Sequence, residues 1–227
     1  MAIIEELKNK VVVSSQAMPG EPFYDECCMI AMMKSVVIGG AGALRVAGAR
    51  DVRNAKKLFD VPVIGLTKPD KLPENWRSVV YITPTLKEVR ELIDSGADVI
   101  AFDGTSRDRG GCTLEEIIDE IHSKNRLAMA DISTFGEGLN CEKLGADIIS
   151  TTLAGYTDES GIAGETPDFE LLEKLVKTVK KPVILEGRIW SPDEVKKAFK
   201  LGAYSVVIGS AITRPHLVTK RFIEWNK

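Results

Sequence analysis

The stretch "PVILEGRIWSPDEVKKAFKLGAYSVVIGS", residues 182–210, contains a whole strand, helix, strand unit. Val183, Ile184 and Leu185 form an apolar run without polar alternation, the pattern of a strand covered on both faces and therefore of a parallel sheet. The run ends on Glu186, Gly187 and Arg188. Ser191 and Pro192 then read as N-cap and first helical residue, apolar positions recur three or four apart, and Gly202 closes the helix before "YSVVIGS" opens the next strand.

The same junction occurs three times in near copy, as "SGADVI" 95–100, "LGADII" 144–149 and "LGAYSVV" 201–207. Such repetition fits internal symmetry. Working outward, eight runs read as strands: 11–17, 43–48, 61–68, 98–104, 127–133, 147–156, 182–187 and 204–210. Amphipathic segments such as "TLKEVRELIDSG", "TLEEIIDEIHSKN" and "FELLEKLVKTVKK" lie between them. Eight β-then-α units predict an α/β fold, a (β/α)8 TIM barrel in a single domain over 1–227. The segment "IIEELKN" is expected as a short helix before the first strand, plugging the barrel bottom. An open doubly wound sheet is the alternative fold, but "SSQAMPG" after the first strand lacks the G-x-G-x-x-G turn of that class. After the third strand, "PDKLPENWRSVVYITPT" is longer than a tight βα turn and reads as a solvated loop, with "VVYIT" as an extended piece across the top. Whether residues 69–78 close over a substrate is left open.

Composition narrows the function. With 227 residues, 44% hydrophobic and 28% charged, the chain can bury a sizeable core. A net charge of -3 with mixed signs gives no basic footprint for nucleic acid or an anionic membrane. No apolar run has membrane-spanning length and the N-terminus is too charged for a signal peptide, so a cytoplasmic protein is expected. Cys27, Cys28, Cys112 and Cys141 show no CxxC spacing and are expected as free thiols. His122 and His216 are expected at the surface or at helix ends.

In such a barrel the chemistry collects at the C-terminal strand ends. The polar residues ending the runs are Gln16, Arg45, Lys68, Asp103, Asp131, Thr151 or Thr152, Glu186 with Arg188, and Ser210. Gly187 after strand seven, "GSAITRP" after strand eight and Arg214 at a helix start suit a phosphate. Carboxylates that share a rim with Lys68 and Arg45 favour acid–base work over a metal, and no metal site is expected. Lys68 suits a general base of lowered pKa or a Schiff-base nucleophile. An ionised Glu186 nearby would raise that pKa, so either arginines offset it or Glu186 is partly protonated.

The segments "VSSQA", "ALRVAG", "VPVIGLTK", "RLAMADIST", "ISTTLAGYT" and "VILEGRIWSPDEV" through "GSAITRP" together resemble the N-acetylmannosamine-6-phosphate 2-epimerases, in order along almost the whole chain. Lys68 is followed by Pro69 where the family signature commonly reads lysine–arginine, and Ser210 stands where glycine is also familiar. The resemblance implies an isomerase that interconverts N-acetylmannosamine 6-phosphate and N-acetylglucosamine 6-phosphate in sialic-acid breakdown, with no organic or metal cofactor. By the same resemblance Lys68 is the base at C2 and Glu186 its partner at the C1 oxygen. Gln16, Arg45, Asp131, Thr152, Tyr156 and Arg188 hold the sugar, while Gly187, Gly209, Ser210 and Arg214 lie near the phosphate. Two other readings use the same barrel: a Schiff-base aldolase acting through Lys68, and a non-catalytic phosphosugar-binding barrel. Phe222, Ile223 and Trp225 suit either core or a dimer contact, and a homodimer is the expectation.

Overall fold

The eight apolar runs become eight strands: β1 (Val11–Ser15), β2 (Ala43–Ala47), β3 (Val63–Leu66), β4 (Val99–Asp103), β5 (Leu127–Asp131), β6 (Ile148–Ser150), β7 (Val183–Glu186) and β8 (Ser205–Ile208). In the computed structural model, which describes residues 2–162 and 164–224, they form a closed barrel in sequence order. Each neighbouring pair is parallel, and β8 closes on β1 through Val11 opposite Val206. The strands are shorter than the apolar runs, most of all β6, whose run continues past Ser150 into turns. The "VVYIT" piece is not a strand; residues 79–83 are bends and irregular backbone.

Side chains alternate across a strand, and that period of two sorts the runs onto two faces. Val12, Ala43, Ile64, Val99, Met129, Ile148, Ile184 and Val207, one from each strand, pack together inside the barrel. The other parity, including Leu44, Val63, Phe102, Ala130, Leu185 and Val206, packs against the helices. Two residues beyond the interior layer, the same parity carries Ser14, Arg45, Asp131, Ser150 and Glu186 at the upper mouth.

The outer helices are α2 (Glu26–Ile38), α3 (Ala49–Leu58), α4 (Leu86–Asp94), α5 (Leu114–Ser123), α6 (Phe135–Lys143), α7 (Phe169–Thr178) and α8 (Pro192–Lys200). Ser191 caps α8 as expected, in a reciprocal capping box with Glu194. The repeated junction also has a structural cause. After α6, Gly145 N–H donates to Glu142 O and Ala146 N–H to Cys141 O; after α8, Gly202 and Ala203 do the same to Phe199 and Ala198. Both are Schellman motifs, which need a left-handed residue, and φ is 104° at Gly145 and 94° at Gly202. The aspartate that follows in two copies staples the barrel bottom: Asp98 accepts from Val63 N–H and Asp147 from Ala128 N–H. In the third copy Tyr204 stands there, and its hydroxyl donates to Ile4 O of α1 (Ala2–Leu7). Leu7 is fully buried against the interior layer, so α1 covers the barrel bottom.

These two glycines should differ in tolerance. A Cβ at Gly145 would lie 3.7 Å from Ile118 Cγ2, leaving only the backbone penalty of about 1 kcal/mol. At Gly202 it would lie 2.7 Å from Val176 Cγ1, on a β-branched side chain that cannot easily swing away, adding about 1–3 kcal/mol. Urea denaturation of Gly145→Ala and Gly202→Ala is expected to rank them in that order; equal losses would contradict the packing argument.

After β8 comes a single turn, α9 (Ser210–Thr213), and then α10 (Pro215–Ile223). No residue of α10 is buried, and Phe222 and Ile223 are 74% and 67% exposed. An apolar groove lies between α2 and α8, lined by Met32, Val36, Trp190, Val195, Ile208 and Ala211 among others. Trp225 lies outside the described residues. Among the described residues no helix is long and apolar enough to cross a membrane.

Candidate active site

The upper mouth of the barrel opens into a cavity of about 440 Å³. Lys68, Glu186, Gln16, Thr152, Tyr156 and Arg188 line it, and so do Gly187, Gly209, Ser210 and Arg214. Arg45 and Asp131 lie beneath this lining, fully buried. Arg45 donates Nη2 to Asp131 Oδ2 at 2.6 Å and Nη1 to Asp131 Oδ1 at 3.1 Å, a bidentate pair. Its Nη1 is also 3.4 Å from Glu186 Oε2. Thr152 Oγ1 lies 2.7 Å from Asp131 Oδ1 and 3.0 Å from Glu186 Oε2, so one hydroxyl serves two carboxylates. The choice between Thr151 and Thr152 is thus made by geometry: Thr151 instead bonds the backbone of Glu186.

Burial pushes the Glu186 carboxyl above the ordinary carboxylate range, with the Asp131 charge adding to the rise and Arg45 opposing it. Lys68 moves the other way, down to about 8, through the protein crowded around it and then the Arg45 charge; Glu186 and Asp131 oppose that fall. Solvent in the cavity still reaches the Lys68 side chain, which also works against the lowering. The two shifts run in the same sense, toward a weaker ammonium and a carboxyl that is easier to protonate. An amine and a carboxyl shifted in this sense have the chemistry that proton exchange near neutral pH requires.

A protein-family model described as "Putative N-acetylmannosamine-6-phosphate epimerase" matches residues 29–227. This chain belongs to that family. A relative named "Putative N-acetylmannosamine-6-phosphate 2-epimerase" from Caldanaerobacter subterraneus is 48% identical over all of this chain and 95% of its own. One of the same name from Clostridium perfringens is also 48% identical, over 98% of this chain and 99% of its own. The solved structure of the N-acetylmannosamine-6-phosphate 2-epimerase from Clostridium perfringens superposes with a TM-score of 0.92 at 47% identity, covering 98% of this chain and 95% of that one.

At the other end of the cavity of this epimerase-family chain, Gly187 and Arg188 both take left-handed backbone, with φ of 108° and 58°. For arginine that is strained, and two bonds hold it: Nε donates to Thr166 O at 2.8 Å and Nη1 to Ala154 O at 2.7 Å. Gln16 donates Nε2 to Ser14 Oγ at 2.8 Å. Arg214 donates to both oxygens of Glu21, at 3.0 and 3.1 Å. Glu21 is absent from the sequence reading, because only closure of β8 on β1 brings its loop to Arg214.

Asp103, collected with the strand ends, does not line the cavity; it pairs with Arg107 instead. Leu72, Trp76 and Tyr81, from the long loop after β3, do line it. Two aromatic residues in an otherwise charged and proline-rich loop were the available signal. His122 lies in the last turn of α5 against Asp147 and His216 is exposed on α10, both away from the cavity. Among the described residues no three His, Cys, Asp or Glu side chains gather as a metal site would require.

Proposed function

We propose that this chain is an isomerase that interconverts N-acetylmannosamine 6-phosphate and N-acetylglucosamine 6-phosphate by moving the C2 proton. The observation that carries the reading is the placing of Lys68 and Glu186 on one cavity lining, with Glu186 held from beneath by Arg45 and Thr152. The C2 proton is acidic only beside the C1 aldehyde of the open-chain sugar. An epimerase must therefore open the ring, remove that proton and return one to the opposite face. Lys68 removes it. Glu186 exchanges protons at O1 and O5, and Arg45 with Asp131 and Thr152 sets its position and charge from below. Negative charge that develops on O1 is met by the proton that Glu186 takes up as the ring opens.

The phosphate falls to the end formed by Gly187, Gly209, Ser210 and Arg214, where glycine backbone and the first turn of α9 leave N–H groups for anionic oxygens. Gln16, Tyr156 and Arg188 line the space between and serve the sugar. Proton NMR with N-acetylmannosamine 6-phosphate in D2O tests the reading. The expected result is conversion to the glucosamine epimer with deuterium at C2. An unchanged substrate that keeps its C2 proton, or a borohydride-trapped adduct on Lys68, would favour the binding or aldolase reading instead.

We also propose a homodimer. The exposed residues of α10 and the groove between α2 and α8 are both apolar, and association of two copies would cover both. Sedimentation velocity is expected to show a dimer that Phe222→Asp with Ile223→Asp weakens; a monomer at micromolar concentration rejects it.

A further inference from the structure

Arg214 reaches the cavity from the junction of α9 and α10, where Thr213 Oγ1 ties the backbone to the barrel by donating to Ser14 O of β1 at 2.8 Å. Its side chain is long, and an arginine without a fixed partner gives up many rotamers when it binds an anion. Here one carboxylate selects the rotamer. Glu21 accepts from Arg214 Nε at 3.0 Å through Oε1 and from Nη2 at 3.1 Å through Oε2. The remaining terminal nitrogen, Nη1, lies 3.4 Å from Ser210 Oγ, and Arg214 and Ser210 both line the cavity, whereas Glu21 does not. The pair therefore uses one edge of the guanidinium fork and leaves the other to the cavity end that holds Gly209 and Ser210.

Glu21 is itself held in place. In the loop after β1, Glu21 N–H donates to Met18 O at 2.9 Å, and Met18 N–H donates back to Glu21 Oε2 at 2.7 Å. Gly20 between them takes left-handed backbone, with φ of 88°, which this turn needs. Arg50 of α3 anchors the far end of the loop: it donates Nη2 to Tyr24 O at 2.8 Å, and its guanidinium lies 5.5 Å from the Tyr24 ring centre. Burial works to raise the Glu21 carboxyl, but the bonds from Arg214 and Met18 outweigh it and hold the group below the ordinary carboxylate range. A pair this open to solvent, with side chains 29% and 26% exposed, adds little to folding stability. What it fixes is the direction of the guanidinium.

We propose that Glu21 is a positioning residue for the phosphate: it holds Arg214 with Nη1 toward the cavity, so that the sugar phosphate meets a guanidinium already in place. The inference rests on the phosphosugar reading above. A carboxylate near a dianion also repels it, and that effect has the opposite sign: if charge alone mattered, removing Glu21 would tighten phosphate binding. The geometry favours positioning, because Arg214 lines the cavity while Glu21 does not, and both Glu21 oxygens are already engaged by N–H donors.

The test is steady-state kinetics of Glu21→Ala, Glu21→Gln, Arg214→Met and the double variant Glu21→Ala with Arg214→Met, with calorimetric titration of inorganic phosphate as a readout free of turnover. Glu21→Ala is expected to raise KM about three- to tenfold, the loss from ordering one long side chain on binding, with kcat within about twofold of wild type. The Kd for phosphate should rise in step. Glu21→Gln keeps one acceptor for Arg214 and should fall between wild type and Glu21→Ala. Arg214→Met should raise KM about tenfold or more. In that background Glu21→Ala should leave KM unchanged or lower it, because the carboxylate has no guanidinium left to hold. A Glu21→Ala enzyme whose KM is unchanged or lower overturns the proposal. So does a rise in KM that is equal with and without Arg214, the mark of a purely structural role. If Arg214→Met itself leaves KM and phosphate binding as in wild type, the phosphate assignment fails first and takes the proposal with it. If wild type binds phosphate without turning the sugar over, the epimerase reading fails while the titration still decides Glu21.

Discussion

Lys68→Ala should lower both epimerisation and C2 deuterium exchange about 10²- to 10⁴-fold, the contribution of a positioned general base. At about 1.4 kcal/mol per factor of ten, that is roughly 3–5 kcal/mol of transition-state stabilisation. The phosphate end is built from other residues, so KM should change far less than kcat. Only the neutral amine accepts a proton. In the wild type kcat/KM should therefore rise with pH through one ionisation near 8, where an ordinary lysine would not titrate until above 10. A profile flat between pH 6 and 9, or a Lys68→Ala enzyme with exchange intact, would remove Lys68 from the proton-transfer step. Glu186→Gln should keep substrate binding but slow the reaction, because the amide cannot return a proton to O1 or O5.

Asp131→Ala is expected to cost about 3–5 kcal/mol of folding stability, because it strands the Arg45 guanidinium where both partners are fully buried. That is a large share of the 5–15 kcal/mol typical of a folded domain. Among the described residues Glu186 Oε2, 3.4 Å from Arg45, is the only other carboxylate paired with it and should hold the loss toward the lower end. Urea denaturation read by circular dichroism measures the effect. Replacing the pair together, Arg45→Met with Asp131→Leu, should restore much of the stability while leaving the enzyme inactive. A single substitution that costs under 1 kcal/mol would mean that water reaches Arg45 and that the layer beneath the cavity is not dry. Asp131→Asn separates charge from shape: it removes a like charge that raises the Glu186 pKa, so that pKa should fall.

Much of this was legible in the chain itself. The eight strands and their parallel order follow from local patterns: unbroken apolar runs, helical spacing between them, and a glycine whose left-handed backbone ends a helix in the same way three times. The inward set at the mouth was legible too, since a strict period of two carries Arg45, Asp131 and Glu186 to the same face as the packed layer beneath them. Boundaries were less so: β6 stops at Ser150 although its run continues to Tyr156, because the segment turns to bring Thr152 and Tyr156 to the cavity.

What only the tertiary structure decided depends on long side chains reaching across loops. Asp103 looked like the other strand-end carboxylates, yet Arg107, four residues on, draws it away from the cavity and ties it to carbonyls some thirty residues earlier in the chain. Glu21 meets Arg214 only because β8 closes on β1. Strand and helix periodicities report what a residue does to its near neighbours along the chain. Ion pairs and carbonyl contacts between loops have no such period, and the direction in which each proton moves, set by burial and by charges from four different strands or turns, exists only once the barrel has closed.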